Sequence, residues 1–298
     1  MTHLTSTAGL NIGISAPAAR PARPEPALIE LVGGSDASGA AARWARWRGR
    51  LLRTGVPLAI LLAWQLTAVL GLVAPEVLPP PTDILAAFGE LLSLGDLQAA
   101  LPASLSRSFT GLAIGGAIGL AVGLFAGLWR VGEEIFDAPL QMLRTIPFIA
   151  LVPLFITWFG IDEAAKIIVI SAATVFPMYL NTYAGVRGID PKLIEAAKIF
   201  GLSDRQVAIH VILPTALPSI LVGLRYAAGI SLLALVVAEQ INAHSGIGYI
   251  LNNANMNQRP DIIIAGILVY AALGIGTDLA MRFVEHASLP WRPKLALA

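Results

Sequence analysis

A few charged and polar side chains interrupt stretches of this sequence that are otherwise apolar, where a charge is expensive to bury in lipid. Arg144 and Arg225 each lie within such a stretch, and Asn181 and Tyr226 lie in the same kind of segment. A guanidinium donates paired hydrogen bonds to oxyanions, so an arginine in this setting indicates an anion site. We therefore take Arg144, Arg225, Asn181 and Tyr226 as candidates for lining the path of a small anion.

Each candidate also has a structural alternative. Arg144 can extend its guanidinium to the cytoplasmic lipid–water interface, and Arg225 can pair with an acid inside a helix bundle. Asn181 and Tyr226 can equally form hydrogen bonds between helices. For Glu239 structural pairing is favoured, because a carboxylate repels an anion. The sequence leaves the alternatives for the two arginines open.

Residues suited to metal or cofactor chemistry are scarce. The sequence has no cysteine, which excludes disulfides, thiolate metal sites and cysteine nucleophiles. Its four histidines share no metal-ligand spacing: His3, His210, His244 and His286. No lysine follows a glycine, so the phosphate-binding loop GxxxxGK[ST] is absent. We expect no cofactor, no metal and no ATPase site in this chain, and no nucleic-acid partner.

Composition and apolar patterning place the chain in a lipid bilayer. Charged residues are 13% of the sequence, about half of the roughly 25% found in soluble proteins. Six apolar stretches are long enough to cross a bilayer as helices: 54–75, 108–129, 139–160, 165–186, 215–238 and 262–283. These stretches do not alternate as the strands of a membrane barrel do. We predict an all-α integral membrane protein with six transmembrane helices.

Lys and Arg near the ends of these stretches predict the orientation, because such residues accumulate in cytoplasmic loops. With the N-terminus inside, the cytoplasmic side receives Arg43, Arg46, Arg48, Arg50, Arg53, Arg130, Arg187, Lys192, Lys198, Arg205, Arg282, Arg292 and Lys294. The outer side receives Arg107, Lys166 and Arg259. We therefore expect both termini in the cytoplasm.

The segments outside the six stretches are assigned by composition. Residues 1–52 are rich in Ala, Pro, Ser and Gly, so we expect a disordered cytoplasmic tail that ends in a basic anchor. Residues 53–285 form the predicted transmembrane domain, and residues 286–298 a cytoplasmic C-terminal tail. Segments 84–94 and 97–105 are predicted to be short helices near the outer surface or in the bundle.

One predicted helix carries glycines at four-residue spacing: Gly111, Gly115, Gly119, Gly123 and Gly127. A row of glycines on one face lets another helix approach closely. The pattern favours tight packing within one bundle, with a seam between two copies of the chain as the alternative.

The loop 187–214 is predicted to form a helical hairpin. Its predicted helix ends are marked by residues typical of those positions: Asp190 and Pro191 at the first start, Gly201 at the first end, and Ser203 or Asp204 at the second start. The first helix has an apolar stripe of Leu193, Ala196, Ala197 and Phe200. A hairpin of this length is too short to be a domain but is suited to docking in a groove of a partner.

Within this hairpin, the spaced residues Glu195-Ala196-Ala197, Gly201, Val211 and Leu213-Pro214 resemble the EAA loop of ABC-importer permeases. Val211 stands where that pattern usually has Ile. Segments 147–154, 158–161, 210–218, 222–225, 238–239 and 245–249 are similar to permeases of the nitrate/sulfonate/taurine group. Segments 153–167 and 210–230 look most like aliphatic sulfonate permeases, and the resemblance extends over roughly residues 53–293.

The resemblance implies a type I ABC-importer permease fold with a cytoplasmic EAA coupling hairpin. By position, Glu195, Ala196, Ala197, Gly201, Leu213 and Pro214 would couple the chain to an ATPase. It also implies two ATPase subunits that bind ATP and Mg, a second permease copy forming a homodimer, and a periplasmic binding protein, in a bacterial inner membrane.

The substrate implied is an aliphatic sulfonate. Nitrate, taurine or another small anion carried by the same machine is the alternative. A self-sufficient secondary transporter or channel is a rival from another class, and it would need intramembrane acids and inverted repeats. Asp278 is the one acid inside a predicted span, near its end, and no internal repeat is found.

Overall fold

The computed structural model describes residues 39–240 and 243–291, and every regular element in those ranges is helical. The α-helices are α1 (Gly39–Val69), α2 (Pro81–Ser93), α3 (Asp96–Leu128), α4 (Arg130–Arg144), α5 (Val152–Phe159), α6 (Glu163–Arg187), α7 (Pro191–Ile199), α8 (Asp204–Val207), α9 (Leu213–Gln240), α10 (Ile247–Met256) and α11 (Pro260–Ser288). A 3-10 turn, Phe148–Leu151, precedes α5, and a π-helical turn, Ala208–Ile212, joins α8 to α9.

The chain divides into two compact units, Met1–Ala59 and Ile60–Ala298. In the first unit, the described part is the helical segment that begins at Gly39. The second unit contains the end of α1 and all the later helices. Of the disordered tail predicted over 1–52, residues 1–38 lie outside the described residues, whereas residues 39–52 are helical and belong to α1. The last residues of the predicted C-terminal tail, 292–298, also lie outside the described residues.

Five helical stretches in the described ranges are long and apolar enough to cross a membrane: Leu52–Val69, α3, α6, Asp204–Gln240 and α11. The pair formed by α4 and Phe148–Phe159 meets the same criterion together, but its halves meet at 92°. Counted as one broken span, this pair brings the total within the described residues to six. The predicted all-α membrane class is therefore confirmed.

The third predicted span is not the single helix expected over 139–160. It bends between Arg144 and Phe148, because Pro147 lacks an amide hydrogen and disfavours helical backbone at the residue before it. The expected short helix at 97–105 is instead the first part of α3, which passes through Pro102 without a break. The first stretch ends as a helix at Val69, ahead of the left-handed Gly71 (φ 67°).

Helices α3 and α6 pack closely along the glycine row of α3. A Cβ placed on Gly115 would lie 2.2 Å from the carbonyl oxygen of Ser171 and 2.2 Å from Oγ1 of Thr174. On Gly119 it would lie 2.4 Å from the carbonyl oxygen of Val175. The row therefore serves packing within the chain and is not free to form a seam between copies.

Replacing Gly115 with valine is expected to destabilise the bundle by about 3 kcal/mol, the upper part of the usual range for overpacking, because the obstacle is backbone. The matched control is Gly116→Val on the same helix, where an added Cβ meets no described atom within 4 Å. Thermal unfolding of the detergent-solubilised protein measures both. Equal melting temperatures for the two variants would contradict this account of the α3–α6 contact.

Candidate functional site

Arg144 lies at the break between the two halves of the bent span, as the last residue of α4. Its guanidinium carbon Cζ is 5.7 Å from the centre of the Phe176 ring. Phe176 is near the middle of α6, whose 25 residues extend about 37 Å, somewhat more than the roughly 30 Å thickness of a bilayer core. The Arg144 guanidinium therefore lies beside the middle of a candidate membrane span, and Arg144 itself is exposed in the isolated chain.

The charge of Arg144 is not neutralised by any residue in the described ranges. No carboxylate there is within salt-bridge distance of it, and its guanidinium makes no hydrogen bond there. Asp137, two turns earlier on α4, instead accepts a hydrogen bond of 3.0 Å from the Tyr179 hydroxyl. An arginine beside a candidate membrane span and without an acidic partner is the type of residue that marks a substrate or ion path.

Arg144 opens into a cavity of about 490 Å³ that we call the Arg144 cavity. Its walls come from α4, the 3-10 turn, α5, α6 and α9, and among the described residues lining it Arg144 has the one polar side chain. Phe148, Phe176 and Leu233 are among the apolar wall residues. The cavity thus combines one cation with a hydrocarbon surface.

Arg225, the second candidate arginine, is paired. Its Nε and Nη2 lie 2.9 and 2.5 Å from Oδ1 of Asp278 on α11. The other oxygen of Asp278 accepts a hydrogen bond of 2.8 Å from Arg282. This geometry favours the structural alternative for Arg225, in which it joins α9 to α11.

Asn181 and Tyr226 lie away from the Arg144 cavity. The side-chain amide of Asn181 donates a 2.8 Å hydrogen bond to the carbonyl oxygen of Pro177 on its own helix. Tyr226 is 63% exposed. The structure therefore does not bring the four path candidates together at one place.

The sequence favours structural pairing for Glu239, at the end of α9, but sequence reasoning missed its partners, which form a buried ionic cluster. The Glu239 carboxylate is fully buried and accepts hydrogen bonds from Ser104 Oγ (2.8 and 2.9 Å), Arg107 Nη1 (2.6 Å), the Gly248 amide (2.9 Å) and Tyr270 Oη (3.0 Å). These donors belong to α3, α10 and α11. Because its hydrogen-bonding capacity is filled by these donors, the Glu239 carboxylate holds helices together and is not open to a ligand.

Arg107 extends the same network to α6. Its Nε and Nη2 form a paired contact with Glu163 at 2.5 and 2.8 Å, and it donates to the carbonyl oxygen of Ser245 at 2.7 Å. Lys166 donates to Glu163 at 2.8 Å. We call this group the Glu239 cluster: Ser104, Arg107, Glu163, Lys166, Glu239, Ser245, Gly248 and Tyr270. It joins α3, α6, α9, α10 and α11 at one end of the bundle.

The hairpin at 187–214 has the helix ends that its sequence predicts. The Asp190 side chain accepts from the Lys192 amide at 2.9 Å, and α7 ends before Gly201, whose φ is 83°. Ser203 caps α8 in a capping box with Gln206. Because both turns are closed by such local contacts, the hairpin is a defined unit at the end of α6.

The faces of α7 differ from the predicted stripe of Leu193, Ala196, Ala197 and Phe200. Ala197 is buried and Ile194 packs on the apolar core, whereas Ile199 and Phe200 are each 84% exposed. Four other residues of the EAA motif are exposed: Glu195, Ala196, Leu213 and Pro214. The hairpin therefore turns large apolar side chains outward, away from its own bundle.

A family model of binding-protein-dependent transport system inner membrane components matches residues 119–288, which include α6, the hairpin and the helices of the Glu239 cluster after α3. The chain belongs to this family. The binding-protein-dependent permeases are multi-pass inner-membrane proteins, and five or six spans in the described residues agree with that.

Relatives of this permease align with more than four fifths of its length. It is 45% identical to the aliphatic sulfonates transport permease protein SsuC of Escherichia coli K12, over 83% of this chain and 94% of that protein. It is 41% identical to SsuC of Bacillus subtilis 168, over 84% and 89%. The taurine transport system permease protein TauC of E. coli K12 is 35% identical, over 84% and 92%.

Solved structures of transporters share the fold of this permease. A chain of the inward-facing MetNI methionine ABC transporter superposes with a TM-score of 0.56 at 19% identity, covering 62% of this chain and 92% of that one. An amino acid ABC transporter chain gives 0.53 at 17% identity, covering 67% and 96%. The predicted type I ABC-importer permease fold is confirmed.

Proposed function

We propose that this permease is the membrane subunit of an ATP-driven importer of aliphatic sulfonates. The proposal rests on two relatives, each from a different bacterium, whose names give that substrate class. They are 45% and 41% identical to this permease over more than four fifths of its length. The relative named for taurine supports taurine as the second candidate. Nitrate or another small anion is the further alternative.

ATP and Mg would be bound by two ATPase subunits that dock on the 187–214 hairpin. Ile199 and Phe200, each 84% exposed, give such a partner an apolar anchor at the hairpin tip. Glu195 is exposed on the same short helix, and Gly201 lets the chain turn sharply beside it. Movement of the ATPases would then be transmitted through the hairpin to α6 and α9, the two helices that it connects.

A rigid connection from the hairpin to the transmembrane helices supports this coupling. Ile194 of α7 packs on a core cluster that contains Val186 and Ala216, in the last turn of α6 and the first turn of α9. Leu213 and Pro214 begin α9 after the π-helical turn, a feature often found at functional bends. A push on the hairpin therefore reaches both helices together.

The full assembly would contain a second copy of this permease and a periplasmic binding protein that delivers the anion. The distribution of Lys and Arg supports an orientation in which both termini and the hairpin face the cytoplasm. The Glu239 cluster then lies at the end of the helix bundle that faces the outer side of the membrane. Of the path candidates, Arg144 comes first because its charge is uncompensated by the described residues, and Arg225 follows. Asn181 and Tyr226 rank last, because neither lines the Arg144 cavity.

The rival function, a self-sufficient secondary transporter, needs an intramembrane acid free to bind an ion or proton. Asp278 is the acid that the sequence offers, and it is held between Arg225 and Arg282 at 2.5 and 2.8 Å. A carboxylate already paired with two guanidiniums is not open to a transported ion, which favours the ATP-driven importer.

Uptake of radiolabelled ethanesulfonate tests the proposed substrate. Cells without a sulfonate importer of their own, supplied with this permease, its ATPase and its binding protein, are expected to accumulate the label. Unlabelled ethanesulfonate should compete fully, and nitrate should not. Competition by taurine or nitrate in preference to ethanesulfonate would assign the permease to the alternative anion.

A further inference from the structure

We propose that the Arg144 cavity is a transient binding site for an organic anion with an apolar tail, and that it favours longer alkyl chains. The anionic headgroup meets the Arg144 guanidinium, and the alkyl chain lies along the aromatic and aliphatic walls. This rests on the proposed function, and it adds where in the permease the sulfonate binds and which part of it is selected.

Charge complementarity identifies the headgroup. The Arg144 guanidinium lies near the middle of α6 and has neither an acidic partner nor a hydrogen bond among the described residues. The Phe176 ring contacts one side of the guanidinium, and Arg144 is otherwise exposed. Its five N–H groups are thus available to the oxygens of an anion, in paired geometry.

The composition of the walls identifies the tail. Phe148, Phe155, Phe176, Ile230 and Leu233 contribute rings and branched chains from four separate elements, and no second polar side chain lines the cavity among the described residues. The volume of about 490 Å³ falls within the roughly 300–1,000 Å³ typical of small-molecule sites. An alkyl chain gains by leaving water here, whereas the ammonium group of taurine finds no carboxylate among these residues.

The position of Arg144 at the C-terminus of α4 has a purely structural alternative. A cation there complements the partial negative charge of the helix end, whether or not an anion ever arrives. Lysine satisfies that role as well as arginine, but it lacks the planar fork for paired hydrogen bonds. Arg144→Lys therefore separates the structural role from binding.

Binding of radiolabelled hexanesulfonate and ethanesulfonate to the purified permease–ATPase complex, without binding protein, tests the proposal directly. We expect hexanesulfonate to bind more tightly, by about fourfold for each added methylene. Arg144→Gln is expected to weaken both by roughly 10- to 100-fold, and Arg144→Lys by an intermediate factor. Leu233→Ser should reduce the chain-length effect while leaving headgroup binding.

The matched control is Arg130→Gln, which removes the exposed cation at the other end of α4 and should leave both affinities unchanged. Co-purification of the ATPase with every variant verifies folding. Equal affinity of Arg144→Gln and the unsubstituted permease, or of the two sulfonates, would overturn this proposal. If the unsubstituted permease imports no sulfonate at all, the proposed function itself fails, which the uptake assay detects separately.

Discussion

Replacement of Gly201 with valine is expected to abolish most ATP-driven uptake while the helix bundle stays folded. Gly201 has φ of 83° and closes the turn between α7 and α8. A β-branched residue resists this conformation by about 1–2 kcal/mol, so the hairpin tip rearranges beside Ile199 and Phe200. We expect the uptake rate to fall roughly 5- to 150-fold, which corresponds to a loss of about 1–3 kcal/mol of coupling free energy between the ATPase and the permease.

Gly95 provides a matched control for this experiment. Its φ of 81°, between α2 and α3, nearly equals that of Gly201, and an added Cβ meets no described atom within 4 Å at either glycine. Gly95→Val therefore introduces the same backbone strain far from the hairpin. ATPase co-purification and uptake should fall for Gly201→Val alone, and an equal loss in both variants would assign the effect to strain.

Removing the carboxylate of Glu239 is expected to be the most destabilising single change in this permease. Glu239→Ala leaves the buried Arg107 without one of its two acids, and it leaves the buried Ser104 and the half-buried Tyr270 without their acceptor. Breaking a buried ion pair from one side typically costs about 3–5 kcal/mol. A lower melting temperature and a lower yield of monodisperse protein in detergent measure the loss.

Two comparisons sharpen this test. Glu239→Gln keeps the shape and one acceptor oxygen of the side chain, so its loss of stability should be smaller than that of Glu239→Ala. Glu134→Ala breaks the exposed pair with Arg130, 3.0 Å long, and should change stability by less than about 1 kcal/mol. A Glu239→Ala melting temperature close to that of Glu134→Ala would show that the Glu239 cluster does not hold the helices together.

The hairpin and the membrane class can be predicted from sequence because their signals are local. Asp190 and Ser203 are capping residues within three positions of the amides they bind, and Gly201 marks its own turn. Apolar stretches of span length likewise need no distant partner to be recognised. Each of these features depends on residues that are neighbours in the chain.

The bend at Arg144 and the Glu239 cluster cannot be predicted in the same way. Arg107 and Glu239 are 132 positions apart, and nothing in their spacing indicates contact. The sequence does contain one signal for this contact. Arg107, Lys166 and Glu239 all lie at the ends of predicted spans that face the outer side, so they are expected at a similar level in the membrane. For Arg144, Pro147 is the available sign of a break, which the apolar continuity of 139–160 obscures.

Reconstitution in sealed vesicles tests the central claim that a separate ATPase drives this permease through the 187–214 hairpin. Vesicles with the permease, its ATPase and internal ATP and Mg, supplied with the binding protein outside, should accumulate ethanesulfonate above the external concentration. Vesicles with the permease alone should only equilibrate or exclude it, under any imposed proton or sodium gradient. Uphill accumulation by the permease alone would contradict the account.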